Sequence, residues 1–115
     1  MTGRQGAAEP ASPDRAIGTV SLELRELEAF VAVAEDRSFA SAARRLGYDA
    51  STVSKHVRRL ERDVGLVLLT RTARHVELTA HGGRFLPHAR RTANAARRAA
   101  AFAAFLSSGS GTPGG

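Results

Sequence analysis

Ser51, Ser54, Lys55 and Arg58 stand at i, i+3, i+4 and i+7, so a helix through them gathers two hydroxyls and two cations on one face. Such a face donates to base-edge acceptors and to phosphate oxygens. Thr52 adds a third hydroxyl beside them, and Ala50 offers a methyl group suited to thymine. Further along, Arg71 and Arg74 lie three apart in a polar stretch, where their planar donor forks suit phosphates or a narrow minor groove. The four histidines, His56, His75, His81 and His88, have no carboxylates at ligand spacing, whereas zinc needs three or four convergent ligands. A general base needs a nucleophile and a pocket. Neither metal, cofactor nor catalytic chemistry is therefore expected.

The composition points to a polyanionic partner. The chain has 115 residues, 17 of them Lys or Arg against 11 Asp or Glu, a formal net charge of +6. All the basic residues but Lys55 are Arg, a bias that suits bidentate pairing with phosphate and guanine and that a GC-rich genome also produces. The charge is unevenly laid out. Residues 1–37 carry four basic and seven acidic groups, residues 38–75 eight and three, and residues 76–115 five and one. The absence of cysteine excludes disulfides and thiolate chemistry. No apolar run is long enough to span a membrane, and the N-terminus lacks a signal-peptide pattern, so a cytoplasmic location is expected. A chain this short buries a thin core of the size that often leans on a partner.

These side chains need elements to hold them. Residues 1–20, with Pro10 and Pro13, and residues 107–115, SSGSGTPGG, read as disordered tails. Between them, Leu24, Leu27, Phe30, Val31 and Ala34 recur at helical spacing, predicting a helix from Ser21, its N-cap, to Asp36. Ser38 caps a second, short helix with Phe39, Ala42, Ala43 and Leu46 inward, and Gly47 ends it. After a turn of Gly47, Tyr48 and Asp49, a third helix is predicted over Ala50–Val64, capped by Asp49, with Val53, Val57, Leu60 and Val64 inward and Gly65 as its stop. The reading face thus lies opposite an apolar stripe.

Leu66 to Leu69 then form a β-favouring run, and Val76 and Leu78 alternate with Glu77 and Thr79, which predicts a two-stranded hairpin with Arg71 and Arg74 near its tip. Residues 80–106 favour helix through their alanines and would span about 40 Å. Gly82, Gly83 and Pro87 predict a kink or a late start. Phe85, Ala89, Ala93, Ala96, Ala100 and Ala103 line one side, small enough for a second helix to approach, so this segment reads as a dimerisation helix. Phe102, Phe105 and Leu106 complete that contact. The Arg pairs at 44–45, 58–59, 90–91 and 97–98 read as solvated faces, with Arg59 placed to pair with Asp63.

A helix, a three-residue turn with glycine and a second helix make a helix-turn-helix pattern. The residues Glu23 to Gly82, ELRELEAFVAVAEDRSFASAARRLGYDASTVSKHVRRLERDVGLVLLTRTARHVELTAHG, resemble the N-terminal DNA-binding domain of LysR-type transcriptional regulators. Gly83 to Arg91 resemble the start of that family's linker helix, proline included. The family's AA-x-x-L stands as Ala42, Ala43 and Leu46, its recognition-helix S-R-Q-I-R-R-L-E as Ser54 to Glu61, and its wing as Arg71, Arg74, Leu78, Thr79 and Gly82.

The resemblance implies a mainly α fold, a winged helix-turn-helix over residues 21–79 with a linker and dimerisation helix over 80–106. It also implies bacterial transcription regulation through a homodimer on an interrupted palindrome of double-stranded DNA. Two departures stand out. Ala50 occupies the place of a glutamine that typically reads a base, which weakens direct readout there. The sequence stops at Gly115, without the effector-binding domain of the family, so two other roles come into view: an effector-less partner that heterodimerises with a full-length regulator, and a fragment of a longer regulator.

Overall fold

The computed structural model describes residues 20–72 and 75–109. The elements run α1 (Leu24–Asp36), α2 (Phe39–Leu46), α3 (Ala50–Val64), β1 (Leu69–Arg71), β2 (Val76–Leu78) and α4 (Ala80–Gly109). Three α-helices around a core, a two-stranded hairpin and a long last helix make a winged helix-turn-helix. Residues 1–19 and 110–115 of the tails predicted over 1–20 and 107–115, and the wing residue Arg74, lie outside the described residues.

The middle helices form where local capping chemistry dictates. Ser38 accepts the Ser41 amide at 3.0 Å, and Asp49 accepts the Thr52 amide at 2.8 Å, each satisfying a donor that the first helical turn leaves free. Gly47 has φ +80°, a left-handed conformation that costs glycine nothing and lets the chain reverse between α2 and α3.

Helix α1 departs from its sequence pattern at its start and around its girth. It begins at Leu24 rather than Ser21; extended Glu23 takes the N-cap without a side-chain cap bond, and its carbonyl accepts from Glu26 and Leu27. It ends at Asp36, where the sequence placed its end, and Arg37 caps it in a left-handed conformation at φ 54°. A single apolar stripe underestimates its burial, because α2, α3 and α4 all pack against it and β2 touches it. Glu26, Ala29, Ala32 and Val33 are buried along with Leu27, Phe30 and Val31, while Leu24, part of the predicted stripe, is exposed.

The apolar run at Leu66–Leu69 contributes only its last residue to a strand. The antiparallel register pairs Leu69 with Leu78, Thr70 with Glu77 and Arg71 with Val76. The amides of Leu68 and Leu69 are diverted to the Glu61 carboxylate of α3, at 2.9 and 3.2 Å. This anchors the root of the wing to the end of α3. Thr79, which alternates with the second strand's residues in sequence, instead caps the start of α4. Its hydroxyl donates to the Val67 carbonyl at 2.6 Å and accepts the Gly82 amide at 2.9 Å.

Helix α4 therefore starts at Ala80, not late, and runs to Gly109 with Pro87 within it, three residues past the predicted end. Proline removes the bond to the residue four back. The glycine before it has another purpose: a Cβ on Gly82 would collide with the Leu68 carbonyl, so the backbone of α4 rests directly on the wing root. Phe85 packs on the core with its ring 6.0 Å from that of Phe30. Ala89 and Ala93 are buried, Ala96 is half-buried, and Ala100 and Ala103 are exposed. The first half of the predicted dimerisation stripe is thus occupied within the chain itself, because α1 offers an apolar surface to the same side of α4.

Candidate nucleic-acid interface

Helix α3 carries the residues whose spacing suggested chemistry. Val53, Val57 and Leu60 are buried at 0%, 1% and 0% exposure, so the opposite side must face out: Ser51, Lys55 and Arg58 are exposed and Ser54 half-buried. Ala50 is exposed and Thr52 half-buried. The Ser51 hydroxyl donates to Asp49 Oδ1 at 2.8 Å, so its proton is engaged at the cap. The Thr52 amide, then this hydroxyl, hold the Asp49 carboxyl below the usual range. Fixed donors favour its charged form.

Arg71 does not project from the wing. The last residue of β1, it folds back so that Nη2 donates to Ser54 Oγ at 2.9 Å and the guanidinium lies 4.1 Å from the centre of the Phe39 ring. Strand, α2 and α3 meet at this one cation. Sequence reasoning placed Phe39 in the core only; an aromatic beside the second helix's cap carried no local sign of a cation above it.

Some of the arginine pairs are divided between duties. Arg45 bridges Glu35 and Asp36 at 2.8 Å each, and Arg90 reaches the same Glu35 at 2.9 Å, joining α1, α2 and α4. The Arg45 hydrogen bond holds the Glu35 carboxyl below its ordinary value. Their neighbours Arg44 and Arg91 are exposed. Arg59 makes no ion pair with Asp63; Asp63 lies instead beside Glu26.

Behind α3, a cavity of about 320 Å³ is lined by Glu23, Arg25, Glu26, His56 and Arg59. Glu26 Oε1 and His56 Nδ1 are buried without a hydrogen-bond partner among the described residues. Burial, then the Asp63 carboxyl, push Glu26 up to about 7, and burial, then Arg59, push His56 down. Each shift favours the neutral form. The His56 ring tilts against Tyr48 in the turn, 5.4 Å between centres. Among the described residues, no group of three or more His, Asp or Glu is placed to hold a metal ion. No described helix is long and apolar enough to cross a membrane.

The fold and the outward polar face of α3 define a winged helix-turn-helix. Residues 24–83 match the model of the bacterial regulatory helix-turn-helix proteins of the lysR family, and the chain belongs to that family. The HTH-type transcriptional regulator ShiR of Corynebacterium glutamicum is 54% identical over 69 residues, which cover 60% of this chain and 23% of ShiR. AlsR of Bacillus subtilis, also an HTH-type transcriptional regulator, is 51% identical over 69 residues with the same coverage. The chain thus spans less than a quarter of the length of these relatives. Among solved structures, the CbnR_DBD–DNA complex matches with a TM-score of 0.65 and 41% identity, over 71% of this chain and 94% of that one. The BenM_DBD complex with catB site 1 DNA matches with a TM-score of 0.66 and 32% identity, over 76% and 97%.

Proposed function

We propose that this chain binds double-stranded DNA sequence-specifically as a homodimer, in the cytoplasm, and so regulates transcription without enzymatic activity. One observation carries the proposal. Helix α3 turns Ser51, Ser54, Lys55 and Arg58 outward from a fully buried stripe, in a fold whose matches CbnR_DBD and BenM_DBD are DNA complexes. With its first turns in the major groove, Ala50, Ser51, Thr52, Ser54 and Lys55 meet base edges while Arg58 meets the backbone. Arg71 and Arg74 contact the flanking phosphates. Residues 21–79 are the binding unit and the helix beyond them sets the spacing of two half-sites.

Dimerisation falls to the outer part of α4. Phe85, Ala89 and Ala93 are covered by their own chain, which leaves Ala96, Ala100 and Ala103 for a partner, with Phe102, Phe105 and Leu106 also 60%, 65% and 52% exposed on the same outer stretch of the helix. The same exposed end favours a second reading, pairing with a longer regulator of the family. Selection from a randomised duplex pool at physiological salt tests both. An enriched inverted repeat supports specific dimeric readout. Binding without enrichment, fading as salt rises, overturns it and moves heterodimeric pairing to the front.

A further inference from the structure

Three elements converge on Arg71. Its backbone ends β1 opposite Val76, its Nη2 donates to Ser54 Oγ of α3, and its guanidinium lies over Phe39 of α2. The two contacts use different parts of one group. The planar face rests on the negative face of the ring, and one edge is spent on the hydroxyl. A guanidinium has five N–H donors, so most of its rim is left for another acceptor. Ser54, having accepted from Arg71, keeps its own proton to donate.

We infer that Arg71 and Ser54 form one composite DNA-reading element, and that Phe39 is the positioning residue that holds the Arg71 guanidinium flat against the recognition helix. The inference rests on the proposed DNA binding and deepens it. In place of a wing cation that swings independently toward phosphate, Arg71 presents its free donors at a fixed place beside Ser54. Ser54 then acts as a hydrogen-bond donor, suited to guanine or adenine N7, guanine O6, thymine O4 or a phosphate oxygen. An arginine tethered in this way gives up little rotamer freedom on binding, whereas a free one gives up much.

The chemistry needs each part in kind. Lysine in place of Arg71 offers a point charge without a planar face or fork. Leucine in place of Phe39 keeps apolar bulk, yet has no π face. Tyrosine in its place restores that face.

The test uses the whole chain and the duplex enriched in the selection above. Affinity is measured over a range of salt for wild type, Phe39→Leu, Phe39→Tyr, Arg71→Ala and Phe39→Leu with Arg71→Ala, and far-ultraviolet circular dichroism checks that each is folded. Phe39→Leu is expected to bind about threefold more weakly, the scale of an exposed cation–π contact. Its plot of log affinity against log salt should be shallower by up to about one, the share of one phosphate contact. Phe39→Tyr is expected to restore both, and the double variant to be no weaker than Arg71→Ala alone. Multiplying losses in the double variant would show Phe39 acting apart from Arg71 and overturn the inference, as would an unchanged slope in Arg71→Ala. Failure of wild type to bind any duplex would remove the DNA-binding proposal itself, a result distinct from either.

Discussion

Helix α1 and the outer half of α4 are both regular helices, held by opposite means. In α1, thirteen residues include seven buried ones, among them Phe30, Val31 and Val33, whose side chains lose rotamer freedom in a helix and have no intrinsic preference for it. Contacts with every other helix outweigh that cost. From Arg97 to Gly109 of α4 no described residue is buried or half-buried. There the alanines supply propensity, and the anchored start at Thr79 and Gly82 supplies the nucleus that an isolated helix would have to form unaided. Burial sustains one helix, and propensity extending from a fixed base sustains the other.

Phe30 carries the largest share of the burial that holds α1. Its side chain is 0% exposed, and Phe30→Ala is expected to cost about 3–5 kcal/mol, a large part of a small domain's total stability of about 5–15 kcal/mol. Thermal melting by circular dichroism should show loss of the cooperative transition; a melting temperature near wild type would refute the central role of α1.

Next in size is the pH response of Glu26. Its carboxyl is pushed from an ordinary 4.5 to about 7 by burial and then by Asp63. The folded state therefore holds this proton more tightly than the unfolded state. Its contribution is fully present below about pH 4.5 and is lost as pH rises through about 7, a swing of about 2–3 kcal/mol by pH 8. Glu26→Gln keeps the shape without the charge. Urea unfolding at pH 5 and pH 8 should find it more stable than wild type at the higher pH and flatter between the two; parallel profiles would place the buried charge elsewhere.

At the outer end of α4 the expected effect is smallest. Phe105 is 65% exposed, so Phe105→Ala should change the stability of a dilute monomer by no more than about 0.5 kcal/mol. If α4 pairs with a second copy, the same change should abolish the rise of melting temperature with protein concentration. A loss at high dilution comparable to that of Phe30→Ala would show that the end of α4 folds back on its own chain.

Legibility in the sequence follows the range of the interaction. The limits of α2 and α3 are readable because Ser38, Gly47, Asp49 and Gly65 act within a few residues of themselves. The start of α1 is not, since Ser21 suits a cap by residue type, yet Glu23 takes that place without any side-chain bond. The wing root is not readable either, because Glu61 captures two amides seven and eight residues away. A strand-favouring composition carries no trace of that capture. Gly82 suggested weakness in a helix when its real constraint is the Leu68 carbonyl.

By itself, then, the sequence determined the helix-turn-helix, its turn, and the polar face of Ser51, Ser54, Lys55 and Arg58, because caps and helical periodicity are properties of neighbouring residues. Only the tertiary structure decided that Glu26 is buried, that Phe85, Ala89 and Ala93 serve the chain's own core, that Arg45 and Arg90 share Glu35, and that Arg71 lies over Phe39 with Ser54 as its partner. Each of these depends on which helix approaches which side chain, and that is set by the packing of the whole chain around α1.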